Sequence, residues 1–470
     1  MDTSNKQYRN LRLFRLNVLL LLSCLSGILV IILASNLDFF CIPKHSRPFD
    51  ISNEELFLIY SVIFTIINFF LLKLSSSLKY PKSKMRTITF ATVLVIQLLI
   101  MSMLFAIYGQ IKLSFLYSNS VFYSIIYLSL ASSAALLAIA AIQFLRWFMR
   151  GKNYLVMTYG FVMLFLCTNS IIGTIYLSQI SLSHPNTIKH ISCSVMIGSL
   201  SNNPNPEAIN ILTNLYDITS FFSFILAWLV TVLMLKGYTK HRNKLVYWII
   251  FALPLIFFLP RYEISLYYFS SHQVDNILTS INLSSNIYGY QTLNTLLHSN
   301  LQLGGAFFGM AFLTIAAKVT SANEQRKALI ITGIGIMFLF ASKDVSSLII
   351  SSYPPLGAVS IAFMGIASYM VYAGIYNTAV LMSRDRELRK DLHEKVENNM
   401  MLLKSIALSQ DHLEIEKNVK HLMNLSTQWQ EENQQDMTQK EMKQIVTEVL
   451  SELKNKQKRS FDESETSSSH

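Results

Sequence analysis

Residues 121–152, VFYSIIYLSLASSAALLAIAAIQFLRWFMRGK, decide how this chain is to be read. No charge interrupts the stretch from Val121 to Phe144; then Arg146, Arg150 and Lys152 arrive together. A run of that length crosses the roughly 30 Å of hydrocarbon in a bilayer at 1.5 Å per residue. Basic residues gathered at one end mark the cytoplasmic flank of a membrane span.

The same unit recurs on both sides of it. Apolar runs near 14–35, 56–75, 88–109, 121–147, 154–179, 214–236, 245–267, 300–319, 328–350 and 356–382 predict about ten spans. The first has a basic lead-in like a signal peptide. Its run is long for a signal core and no small-x-small site follows, so it reads as a retained helix. Alternate gaps hold 19 Lys and Arg (Lys6 to Arg15, Lys73 to Arg86, Arg146 to Lys152, Lys236 to Lys244, Lys318 to Lys327), against five in the others (Lys44, Arg47, Lys112, Lys189, Arg261). The bias predicts a cell-membrane protein with both termini cytoplasmic. The outer loops 180–213 and 268–299 are the long ones, and long loops are more often functional or disordered than mere connectors.

Composition agrees. Hydrophobic residues make up 52% of the chain and charged residues 14%, where soluble domains carry about 25%. The net charge of +11 raises nucleic acid as a partner, but its distribution rejects it. Residues 1–382 hold 25 Lys and Arg against 11 Asp and Glu, whereas 383–470 hold 14 against 17. The basic excess therefore belongs to membrane loops facing lipid.

The expected fold class is all-α: a polytopic transmembrane bundle over 1–382, then a cytoplasmic helical tail over 383–458. Leu388, Leu392, Val396, Met400, Leu403 and Ile406 recur at helical spacing in the tail, followed by Leu413 to Trp429 after a phase shift, as in a coiled coil with a stutter. A capping box at Thr438 and Glu441 opens a second helix. Residues 459–470 are serine-rich and read as disordered. Between Ala358 and Glu397 the sequence lacks proline, so the last span is expected to run unbroken into the tail to at least Leu403. The tail is then the surface for a cytoplasmic protein partner or a homodimer.

Charges within spans are costly, about 2.5–3.5 kcal/mol at the helix centre. Five occur: Asp217, Arg261, Glu263, Lys343 and Asp344, all toward the outer half by this topology. They are the ligand-binding candidates, with Arg261 or Glu263 expected to pair with Lys343 or Asp344. The plainer alternative is that each reaches headgroups or water separately. Cys41 and Cys193 share the outer side, where a disulfide is permitted; Cys24 and Cys167 read as apolar fillers. Five outer histidines show no ligand spacing, so no metal and no cofactor is expected. Gly305 and Gly309 form a small-residue step for packing inside the bundle. His393 and His412 read as solvated helix positions, since no nucleotide-binding motif accompanies them.

Tyr353-Pro-Pro-Leu-Gly357, Gly365-Ile-Ala-Ser-Tyr369, Gly374-Ile-Tyr376 and Ser383-Arg-Asp-Arg-Glu-Leu-Arg389 form a signature. It resembles the last span and juxtamembrane helix of a family of multi-span archaeal membrane proteins of unassigned function. This chain departs from that pattern at Leu356 and at Asn377-Thr378. The resemblance implies an architecture and no catalytic residues. Together these features predict a non-enzymatic receptor or sensor, with an outward polar cavity coupled to a cytoplasmic helix. The alternative is a secondary transporter of a small solute, against which stand the lack of an internal repeat and of paired broken spans.

Overall fold

The computed structural model describes residues 53–78, 84–114, 116–183, 187–189, 206–236, 300–318, 323–343 and 354–384, with isolated positions at 252, 254–255, 406 and 409–410. The chain divides into compact units 1–407 and 408–470, and every element below belongs to the first. In order these are α1 (Asn53–Ser76), α2 (Lys84–Ser114), β1 (Leu116–Ser118), α3 (Asn119–Gly151), α4 (Tyr154–Ser183), β2 (Thr187–Lys189), α5 (Pro206–Lys236), α6 (Asn300–Lys318), α7 (Asn323–Ser342), α8 (Pro354–Ile361) and α9 (Met364–Arg384). Among the described residues, seven helices are long and apolar enough to cross a membrane, and 304–317 of α6 is a shorter apolar stretch. The protein is a membrane-embedded helical bundle. The predicted spans at 14–35 and 245–267 and the tail beyond Arg384 lie outside the described helices.

Local chemistry sets the helix ends. Glu54 and Glu55 open α1 and Lys73 closes it, each sign opposing the helix dipole. Pro354 and Pro355 open α8, where a missing N–H costs nothing. The turn joining α3 to α4 is only Lys152 and Asn153. Lys152 adopts φ 47° and ψ 27°, and its N–H donates to the Phe148 carbonyl at 2.7 Å. Asn153 Oδ1 accepts the Leu155 N–H at 2.9 Å. At the opposite end of the same hairpin β1 pairs antiparallel with β2, Tyr117 facing Ile188. The predicted outer loop after the fifth span thus returns to the third-to-fourth turn.

Burial ranks the helices. Over an 18-residue apolar stretch within 357–381, 94% of residues are buried inside the protein, against 33% for the corresponding stretch within 86–114. The centre is therefore α9 with α7 beside it, and α2 lies at the rim. Rim helices expose Ile59, Ile66 and Phe69 on α1 and Ile88, Val95 and Leu99 on α2. So much apolar surface is untenable in water and suits lipid. Gly305 and Gly309 of α6 pack on α7, where a Cβ on Gly305 meets Phe340 and one on Gly309 meets the Gly333 carbonyl. The glycine step serves packing within the bundle, as expected. On the far side of α7, Gly335 faces Ala367, Met370 and Val371 of α9, and Gly374 of α9 faces Ala328 and Thr332.

The last span is not one helix. It stops at Ile361 and resumes at Met364. The Phe363 N–H reaches back three residues to Ser360 at 3.4 Å, a tighter turn than the four-residue spacing that resumes with Ala367 N–H to Phe363 O at 3.0 Å. Phe363 is fully buried between Phe64 and Phe338, ring centroids 4.6 and 5.2 Å away. Sequence led to the opposite expectation, an unbroken helix from Ala358. No proline lies at the break, though Gly365 is a weak helix former just beyond it; what accompanies the interruption is Phe363's aromatic packing and a side-chain amide from α2.

Candidate functional site

Lys343 follows the last residue of α7 and is 1% exposed. Its Nζ donates to Ser223 Oγ of α5 at 2.8 Å and lies 5.1 Å from the centre of the Phe340 ring, close enough for a cation–π attraction. Ser223 in turn donates to the Ser220 carbonyl at 2.8 Å, which leaves its lone pairs for the ammonium. The Lys343 carbonyl accepts the Tyr216 hydroxyl at 2.5 Å. Asn169 of α4 donates to the Tyr216 carbonyl at 3.0 Å and to Thr219 Oγ1 at 3.1 Å. One polar seam therefore joins α4, α5 and the end of α7. Asp217 follows Tyr216 on α5, partly exposed, close to Tyr176, which shares a hydrogen bond with Thr213.

A second polar group sits where the last span is interrupted. Asn68 Nδ2 of α1 donates to Gln97 Oε1 of α2 at 2.9 Å, and Gln97 Nε2 points at the Ala362 carbonyl at 3.4 Å. The carbonyl fixes the direction of this chain. It can only accept, so Gln97 turns its nitrogen to it and its oxygen to Asn68. Gly365 makes the approach possible: a Cβ there would stand 2.6 Å from Ser132 Oγ and 3.0 Å from Gln97 Nε2. One turn on, Ser368 meets Ser133 of α3 at 2.7 Å. The groups that face one another here are uncharged and fully buried, and they pair across α1, α2 and the last span.

Of the five charged candidates, Asp217 and Lys343 are described, and both border the α5 seam. Arg261, Glu263 and Asp344 lie outside the described residues, as do Cys41 and Cys193. Lys343 does not follow the plainer alternative, since its head is turned into the protein and away from headgroups. Cys167 is buried and unbridged, its thiol against the Ala134 carbonyl at 3.3 Å. Counting charges alone missed Asn68, Gln97 and Asn169. The signal was present: an amide inside an apolar span needs a partner on another helix. No family model, curated protein or solved structure matches this chain.

Proposed function

We propose that the chain is a non-enzymatic, receptor- or sensor-like protein of the cell membrane, with both termini cytoplasmic, in which the Lys343 seam responds to a small solute. The observation that carries this reading is the position of Lys343. It ends α7, it is held by α5, and α7 packs along α9 at Gly335 and Gly374. A solute that draws the ammonium from Ser223 changes how α7 sits against α9. At Arg384 the helix passes into the 383–458 segment, through which a cytoplasmic partner or a second copy reads the change. The route runs sideways from α7 into α9, because the last span itself is interrupted.

A secondary transporter is the second reading, favoured by that interruption beside the Asn68–Gln97 pair. Transporters bind solutes near the midplane where a helix is discontinuous. The deciding experiment uses full-length protein in nanodiscs. Small anionic and polar solutes are screened for a rise in unfolding temperature that Lys343→Gln abolishes. For a sensor, such a solute alters hydrogen exchange across 364–384 and is not accumulated by proteoliposomes. Accumulation selects the transporter, and absence of any Lys343-dependent solute sinks the sensor reading.

A further inference from the structure

The last span is uncovered at two places. Between Gly357 and Val380 every residue is buried except Tyr372 and Tyr376. The two stand one turn apart with their rings stacked, centroids 6.1 Å apart. Tyr376 is about two turns from Arg384, the end of α9. Tyrosine suits a membrane–water interface, where its ring meets the acyl chains and its hydroxyl the headgroups.

Arg86 of α2 joins them. The Phe90 ring meets Tyr369, centroids 5.7 Å apart, and Arg86, one turn before Phe90, lies close to both Tyr369 and Tyr372. Half-buried, Arg86 donates from Nη2 to the Leu78 carbonyl, just past α1, at 2.6 Å. A guanidinium carries five donors in a fixed fork, so this bond anchors the side chain and leaves its charge in place. The Tyr369 hydroxyl beside it is buried and makes no hydrogen bond of normal geometry, an unusual state for a native interior. Charge around Arg86 is one-sided. From Lys73 to Arg86 the sequence holds five basic residues and no Asp or Glu. The first turn of α2 also lacks an acid, although it is the positive end of the helix dipole.

We propose that Arg86, flanked by Tyr372 and Tyr376, binds the phosphate of an anionic phospholipid in the leaflet at the basic end of the bundle. The guanidinium fork matches the oxygens of a phosphate. The two tyrosines add hydroxyl donors and present their rings to the upper part of the acyl chains. A zwitterionic headgroup would carry an ammonium into the same basic cluster, so the phosphate is the only charge the headgroup bears. The lipid approaches from the side, at residues that are part-exposed, and requires no internal cavity. The site is separate from both polar groups described above and stands whichever reading of function holds.

The test is native mass spectrometry of the full chain, titrated in detergent with phosphatidylglycerol and, separately, with phosphatidylcholine. Wild-type protein retains phosphatidylglycerol in preference to phosphatidylcholine. Arg86→Gln weakens that retention by about tenfold or more, the factor expected for losing a hydrogen bond to a charged group. Lys73→Gln, at an exposed position of the same basic end, weakens it much less. Equal loss in the two variants means diffuse attraction to a basic surface and overturns the site, as does equal retention of the two lipids. Displacement of the lipid by inorganic phosphate assigns Arg86 to a soluble phosphate and also overturns the lipid proposal. Should Arg86→Gln fail to fold, Arg86→Lys and the double variant Tyr372→Phe/Tyr376→Phe decide. Lysine keeps the charge without the fork, and phenylalanine keeps the ring without the hydroxyl. Wild-type retention of phosphatidylglycerol in both refutes the proposal.

Discussion

Lys343 Nζ and Ser223 Oγ meet at 2.8 Å across the α5–α7 boundary, with the lysine almost wholly out of reach of solvent. Ser223→Ala takes away one acceptor and leaves the ammonium less well solvated. The expected loss is about 1–3 kcal/mol, read as a lower unfolding temperature in nanodiscs. An unchanged temperature means that the hydroxyl contributes nothing to holding the lysine.

The Asn68–Gln97 pair is expected to behave as a unit. Gln97→Leu leaves both Asn68 Nδ2 and the Ala362 carbonyl without this partner. Adding Asn68→Leu should cost less than it does alone, with a coupling of about 0.5–3 kcal/mol for contacting residues. A double-mutant cycle that sums without coupling would show that the two amides do not support each other.

Glycine substitutions should separate by contact. At Gly309 an added methyl runs into the Gly333 carbonyl and Met337, and overpacking of that kind costs about 1–3 kcal/mol. Gly109 meets nothing within 4 Å, so Gly109→Ala should be neutral or gain up to about 1 kcal/mol from helix propensity. Equal effects at the two sites would contradict the α6–α7 packing described above.

Lys152 is the one non-glycine residue with positive φ among those described. A side chain in the left-handed region costs roughly 1–2 kcal/mol. Lys152→Gly should therefore stabilise the hairpin by a large part of that, measured as slower thermal inactivation. Lys152→Val, with its branched Cβ, should act in the opposite direction.

Hydrophobic runs located the described spans well because helix length in a membrane is set by the hydrocarbon itself. The stretch read as 121–147 became α3 at 119–151 and 154–179 became α4 at 154–183, whereas α6, read as a span at 300–319, holds only a shorter apolar stretch at 304–317. Phe363 shows where such reading ends. Ile361 to Gly365 contains no proline, and the interruption comes with Phe64, Phe338 and Gln97, which sit on three other helices. Lys343 is a similar case. Its sequence neighbours announce a charge in an apolar setting, but only Ser223, 120 positions earlier, decides that the head turns inward. Gly305 and Gly309 were legible because small residues at four-residue spacing have a steric meaning without knowledge of the partner.

The short β1–β2 pair has a mechanical consequence. Paired strands stand about 4.8 Å apart, and these two lie at the far ends of α3 and α4, whose other ends are joined through Lys152 and Asn153. A hairpin stitched at both tips cannot let one arm slide along the other without tearing hydrogen bonds. Residues 116–189 thus form a braced hairpin, and α9 is fastened to it where Ser368 meets Ser133 at 2.7 Å.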